Sequence, residues 1–232
     1  TLNACHVTGS MALLKLLSHN DANLRSLNLS HQKVETLDAE VSDKTRKVDL
    51  HRIASALQIN SSLRILKLSR NRLQLEDLDP LIDVLRTSNT TLQVLDVNNN
   101  AFEDEVFCRV ANAMPSIRGL QKLYMLNNDI QSDDTAHALV KGMKDNTSIH
   151  VLQVKSTIPH YAEMQQLAAM NRGGRRVRKI EQDVPLSIWP RILERVNRIP
   201  WSKEYPEIKG ADDCDFAADL IYYFLQSPVM FH

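Results

Sequence analysis

The sequence predicts an α/β solenoid, with short parallel strands on the concave side, helices on the convex side and a helical C-terminal extension. A triplet of apolar residues, spaced as in Leu92, Leu95 and Val97, occurs five times in the first 172 residues. The last four copies start 28 or 29 residues apart, and such a fixed period is typical of stacked coils. Between copies, as from Leu78 to Thr87, apolar residues recur at helical spacing, which predicts the convex helices.

Each triplet predicts a very short strand with one buried face, because apolar and polar residues alternate in it. The five triplets are Leu24/Leu27/Leu29, Leu63/Leu66/Leu68, Leu92/Leu95/Val97, Leu120/Leu123/Met125 and Ile149/Leu152/Val154. Asn71, Asn100 and Asn128 follow the three middle triplets at one fixed distance, and we expect their side chains to bond the backbone of the neighbouring coil. Gln32 and Thr157 take this position in the outer copies, as expected of caps.

This pattern, with a full helix in each coil, resembles the ribonuclease-inhibitor-like class of leucine-rich repeats. The resemblance covers roughly Ser10 to Arg172 and implies a horseshoe that binds another macromolecule. Many members have a Gly-Asp/Glu-x-Gly element after the asparagine. Here Leu75–Asp77 and Phe102–Glu105 stand at that place, so the chain is similar to a divergent branch of the class.

Two segments flank the first triplet. The leucines between Ser10 and Asn20 predict a helix, either an N-terminal cap or the remnant of an earlier repeat. The longer first interval, 39 residues, marks a polar insertion at Glu35–Lys47, which is a solvated loop or a docking loop.

Three asparagines, Asn60, Asn89 and Asn146, begin sequences that fit the glycosylation acceptor pattern. They share one place in their coils, the turn between a helix and the next strand. Asparagine tolerates the left-handed conformation in such turns, so we interpret these residues as turn formers rather than glycan acceptors.

Composition restricts the function. Lys plus Arg and Asp plus Glu number 28 each, which argues against general binding to nucleic acid or anionic membranes. The three cysteines are scattered and favour neither a disulfide framework nor a zinc site. No segment is long and apolar enough for membrane insertion. We expect a reducing intracellular compartment, with the cytoplasm first and an organelle as the alternative if a leader has been removed.

No catalytic motif is visible. The eight histidines show no metalloprotease spacing, and the six glycines form neither a phosphate-binding loop nor a dinucleotide fingerprint. We therefore predict no enzyme activity, cofactor, metal or small-molecule substrate. The Ran GTPase-activating protein shares this repeat class, and the resemblance offers Ser69–Arg72 as the segment of an alternative, a regulator of a small GTPase.

Residues 173–232 differ in composition and are predicted to form either a cap on the solenoid or a recruiting module. Gly173–Lys179 is a basic hinge or hairpin, and helices are predicted at Val184–Asn197 and Asp213–Gln226. This tail is similar to that of algal (diatom-type) repeat proteins and faintly resembles an F-box, the adaptor segment of ubiquitin ligases. As a cap, it would bury four side chains against the helix of residues 161–172, namely Trp189, Ile192, Tyr222 and Phe224.

The predicted function is a non-enzymatic interaction or scaffold protein, free or as a peripheral subunit of a larger assembly. A ubiquitin-ligase-type adaptor and the GTPase regulator are the alternatives. We expect another protein or protein complex on the concave sheet, whose side chains alternate with the buried leucines. Ile65, Val94 and Val151 are expected to form an apolar column there, with Tyr124 and Leu126 beside it. The predicted protein-binding residues are Ile65, Lys67, Val94, Asp96, Lys122, Tyr124, Leu126, Val151 and Gln153.

Overall fold

The computed structural model describes residues 2–3, 11–31, 48–173 and 194. These residues contain one parallel sheet of six strands that lie side by side in chain order. The strands are β1 (Leu2–Asn3), β2 (Ser26–Asn28), β3 (Ile65–Lys67), β4 (Val94–Asp96), β5 (Lys122–Tyr124) and β6 (Val151–Gln153). Strands β2 to β6 confirm the five predicted from the apolar triplets. Strand β1 was not predicted, because it has a single apolar residue and no full triplet.

Helices alternate with the strands, as parallel neighbours require. They are α1 (Met11–Ser18), α2 (Leu50–Leu57), α3 (Leu75–Thr87), α4 (Asp104–Ala113), α5 (Asp133–Asp145) and α6 (Tyr161–Gly173), with a short 3-10 helix at Met114–Ser116 after α4. Consecutive helices pack against each other. Since β1 precedes α1 and pairs with β2, the N-terminal helix belongs to an earlier repeat, one of the two predicted alternatives.

The core lies between the sheet and the helix layer. The central residue of each of the strands β2 to β6 is buried. The register places these five residues side by side: Leu27, Leu66, Leu95, Leu123 and Leu152. They form one continuous core with the apolar stripes of the helices, such as Leu81 and Leu85 of α3. The parallel-strand α/β repeat fold predicted from the period is therefore confirmed.

The ladder asparagines, Asn71, Asn100 and Asn128, connect successive coils after each strand. The amide of Asn100 donates to the carbonyl oxygens of Leu68 (3.1 Å) and Val97 (2.9 Å), one in the preceding coil and one in its own. Its Oδ1 accepts the backbone N–H of Asn71 at 2.9 Å. All three are buried, so the predicted asparagine ladder is confirmed.

A second set, the turn asparagines Asn60, Asn89 and Asn146, connects the coils where each helix ends. The Asn89 amide donates to the carbonyl of Asn60 at 3.0 Å, and its Oδ1 accepts the N–H of Leu92 at 2.9 Å. The three residues are 1–3% exposed, which supports a structural role and not glycosylation. The expectation of a left-handed backbone conformation at these residues is wrong, because none of the three has a positive φ. Their buried amides, rather than their backbone freedom, explain why asparagine stands there.

Helix α6 ends the described stack and closes it differently from the other helices. It packs against strand β6 as well as against α5. The amide of Gln165, 3% exposed, donates to the carbonyl oxygen of Leu152 at 2.8 Å. A side chain thus satisfies a backbone group on the last strand, where a further strand would bond in a longer sheet. The predictions for the insertion at Glu35–Lys47 and for the tail after Gly173 lie outside the described residues, as do those for Trp189, Ile192, Tyr222 and Phe224.

Candidate functional site

The sheet has one face turned away from the helix layer, which we call the open face. Its side chains precede and follow the buried central residue of each strand, because successive residues of a strand point to opposite faces. The first column across the strands is Ser26, Ile65, Val94, Lys122 and Val151. The second is Asn28, Lys67, Asp96, Tyr124 and Gln153. The structure thus brings eight of the nine predicted binding residues into two adjacent columns. Leu126 lies two residues after Tyr124, just beyond the end of β5.

The register corrects one expectation about the apolar column. Lys122 pairs with Val94 on one side and with Val151 on the other. The column of Ile65, Val94 and Val151 is therefore interrupted by a lysine. Ile65 and Val94 remain adjacent on one side of Lys122, and its positive charge separates them from Val151 on the other side. Tyr124 lies in the next column.

The predicted residues differ in exposure. Lys67 is exposed, whereas Tyr124, Leu126 and the other six are half-buried. Neighbouring parallel strands lie about 4.8 Å apart, so side chains in one column cover each other's flanks and leave mainly their tips accessible. The open face is consequently a closely packed surface whose shape depends on each of its side chains.

A polar network fixes the centre of this face. The Asp96 carboxylate accepts hydrogen bonds from the Ser69 hydroxyl at 2.6 Å and from the backbone N–H of Asn98 at 3.1 Å. The side chain of Asn98 in turn accepts the backbone N–H of Leu126 at 2.6 Å. Asp96 and Leu126 were predicted as binding residues from the sequence, but their hydrogen bonds with Ser69 and Asn98 were not predicted.

Charge is unevenly distributed around the open face. Asp96 has Lys67 beside it in its column and Lys122 on the adjacent strand. Lys155 lies two residues after Gln153, just beyond the end of β6. Lysines therefore outnumber acids on this face. Acidic residues instead occupy the first turns of α4 and α5, where the helix dipole favours them.

One of these acids, Asp104, has a defined structural role. Its carboxylate accepts the backbone N–H groups of Gln131 and Ser132, each at 3.2 Å. Partial burial acts to raise the pKa of Asp104, but hydrogen bonds from Ser132, Thr135 and Gln131 outweigh it and hold this pKa below the ordinary value. Asp104 thus ties the start of α4 to the loop before α5.

The segment Ser69–Arg72, named for the GTPase-regulator alternative, lies where β3 leads into α3. Asn71 is buried in the ladder, and Ser69 donates to Asp96. Arg70 and Arg72 are exposed and have positive φ values of 59° and 52°. The same positions in the next coil, Asn99 and Ala101, have φ values of 56° and 59°, so this conformation belongs to the repeat and not to a special arginine site.

Other classes of site find no support in the part of the chain that the structure describes. Within residues 2–3, 11–31, 48–173 and 194, no three His, Cys, Asp or Glu side chains converge in a way that would hold a metal ion. None of the helices in these ranges is both long and apolar enough to cross a bilayer.

Comparison with known proteins supports the fold. No protein-family model matches the sequence, and no curated protein matches it significantly. Among solved structures, the tropomodulin C-terminal domain of Caenorhabditis elegans is similar, with a TM-score of 0.60 and 15% identity over 75% of this chain and 99% of that one. Leiomodin-1 Actin-Binding Site 2 (ABS2) is similar with a TM-score of 0.57 and 17% identity over 72% of this chain and 91% of that one. At these identities the likeness is one of fold alone.

Proposed function

We propose that this chain is a non-enzymatic protein-interaction domain that binds a partner protein through its open face. The observation that carries the proposal is the position of Tyr124 and Leu126, an aromatic and an aliphatic residue on a face that no described helix covers. Tyrosine is enriched among the residues that contribute most to the binding energy of protein interfaces.

In this proposal the sheet is the concave side of a solenoid of the ribonuclease-inhibitor-like class, and the protein acts free or as a peripheral subunit of an assembly. Six strands about 4.8 Å apart span only about 24 Å. A standard interface buries about 800 Å² on each partner, so the partner also contacts the loops that follow the strands. The loops after Asn71 and Asn100 are the candidates, and Arg70 and Arg72 are exposed beside the first of them.

The excess of lysines on the open face favours a partner with an acidic surface. Lys67 follows Ile65 on β3, and Lys122 pairs with Val94. Both charges increase the rate of encounter with such a partner, as charge complementarity generally does. Actin is the first partner to test, since one structure of similar fold is named an actin-binding site. Binding of the purified chain to monomeric actin and to filaments, by titration and co-sedimentation, examines this choice directly.

The binding face is tested separately by a pull-down from a lysate with mass spectrometry, followed by quantitation of the retained partner. We expect Tyr124→Ala combined with Leu126→Ser to weaken retention by about tenfold or more. The melting temperature should change little, because both side chains are half-buried on the open face and not in the core. A matched control replaces both Asn112 and Lys141 by alanine, at two exposed positions on α4 and α5, and should retain the partner fully.

Full retention by the Tyr124/Leu126 variant would move the binding surface to the helices or to the tail. A ubiquitin-ligase core or a small GTPase among the captured proteins would then support one of the two alternatives. If the purified chain does not bind actin but the Tyr124/Leu126 variant still loses its captured protein, actin is the wrong partner and the open face remains the binding surface.

A further inference from the structure

Helix α6 is buried on more sides than its packing within the described residues explains. Met164, Ala168 and Asn171 recur at i, i+4 and i+7, and this stripe faces the core and the adjoining turn. Among the described elements, α5 and β6 are the ones that pack closely against α6. Yet Ala169 is 0% exposed and Met170 is 7% exposed. Successive residues lie about 100° apart around a helix, so both fall outside the stripe. Ala169 lies one turn after Gln165, which contacts β6, but neither Ala169 nor Met170 belongs to the apolar core that the described residues form.

The burial increases towards the end of the helix. Ala162 and Ala169 are seven residues apart and therefore lie on the same side of α6, two turns from each other. Ala162 is exposed, whereas Ala169 is fully buried, and Gly173 further along that side is buried as well. This side of α6 is therefore covered only along its C-terminal half, which is also where the chain continues beyond Gly173.

A buried acceptor points to the same place. Asn171 continues the row of turn asparagines, because its amide donates to the carbonyl oxygens of Asn146 at 3.1 Å and Ile149 at 2.7 Å. Asn89 and Asn146 also accept backbone N–H groups two and three residues ahead of them. The Oδ1 of Asn171, in a residue 8% exposed, has no hydrogen-bond partner among the described residues. A buried acceptor of this kind calls for a donor, and the described residues supply none.

We propose that the C-terminal segment, residues 184–232, docks on the surface formed by Ala169, Met170 and Gly173. The sequence of this segment carries apolar residues at helical spacing, Ile192, Leu193 and Val196, which match an apolar surface. The short connection keeps the segment at a high effective concentration beside α6. Of the two roles predicted for the tail, a cap and a recruiting module, this docking makes it a cap.

The experiment uses the full chain with a site-specific protease sequence inserted between Gly174 and Arg175. After cleavage, size-exclusion chromatography shows whether the C-terminal fragment still elutes with the repeats. We expect it to remain bound in the parent and in an Ala162→Glu control, because Ala162 is exposed. Met170→Glu should weaken retention by about tenfold or more, since it places an unpaired charge in the docking surface.

Met170→Gln, which carries no charge, should weaken retention less than the glutamate, and circular dichroism before cleavage verifies that each variant is folded. Separation of the fragments in the parent overturns the proposal, whether or not the repeats then aggregate. Equal retention by the folded Met170 variants and the Ala162 control overturns it as well, because the tail would then dock elsewhere. Retention ordered as parent, Met170→Gln and Met170→Glu supports it.

Discussion

The backbone N–H of Asn100 donates a hydrogen bond to Oδ1 of Asn128, 2.9 Å away and one coil further along the chain. The same bond joins Asn71 to Asn100 in the preceding coil. Each ladder asparagine therefore satisfies backbone groups that would otherwise be buried without partners, and the loops after the strands are fixed relative to each other.

Replacing Asn100 by alanine tests the ladder. The change removes the acceptor of the Asn71 and Leu73 N–H groups and the donor to the carbonyl oxygens of Leu68, Val97 and Asn98. Unsatisfied buried groups cost about 1–3 kcal/mol each, and with partial relaxation we expect a loss of about 2–4 kcal/mol in urea denaturation. The control is Asn127→Gly, at an exposed residue with a φ of 55° that glycine adopts freely. An equal loss in both variants would contradict a special role for the ladder.

Leu95→Ala tests which side of the strands faces the core. Leu95 is 3% exposed, and its truncation should lower the free energy of unfolding by about 2–5 kcal/mol. Val94, its half-buried neighbour on the open face, should lose less than half as much when replaced by alanine. If the Leu95 variant melted within a degree or two of the parent, or if Val94→Ala were the more harmful change, the assigned faces would be reversed.

Gly119→Ala tests a close contact between two coils. A Cβ atom at Gly119 would lie 2.2 Å from the carbonyl oxygen of Thr90, and this neighbour is backbone that cannot rotate away. The coils would have to separate, so we expect the free energy of unfolding to fall by about 1–3 kcal/mol or more in thermal or urea denaturation. Arg118→Ala, at the exposed neighbouring residue, serves as the control and should be close to neutral. A stable Gly119→Ala protein would show that the two turns are not held this closely.

Acid should weaken the tie made by Asp104. Its folded-state pKa lies below the value in an unfolded chain, about 3.9, so its stabilising effect is complete above that value. The effect disappears as the pH falls through the folded-state pKa. Asp104→Asn should therefore lower the melting temperature at pH 7, and the difference from the parent should shrink towards pH of about 3. Glu105→Gln, at the exposed neighbouring acid, should show little difference at either pH. A constant difference between parent and Asp104→Asn would mean that the carboxylate charge is not involved.

Much of the fold could be predicted because it is local in sequence. A leucine triplet repeated every 28 or 29 residues determines both the strand and its buried side, and Asn71, Asn100 and Asn128 were recognised from position alone. The nine binding residues were assigned to one face by alternation, since the period of a strand is two. What they bind stays a prediction, because a repeat determines a surface and not its partner.

Only the tertiary structure decided how residues of different coils meet. Lys122 interrupts the aliphatic column because of the register of three strands, and register depends on all the packing at once. Gly119 faces Thr90 and Gln165 bonds Leu152 across distances in sequence that no local pattern encodes. The sequence by itself therefore determined the repeating unit, whose hydrogen bonds and buried side chains recur within one period. The ends of the stack and the charge pattern of the open face were decided by contacts between units, where each coil presents different side chains to its neighbours.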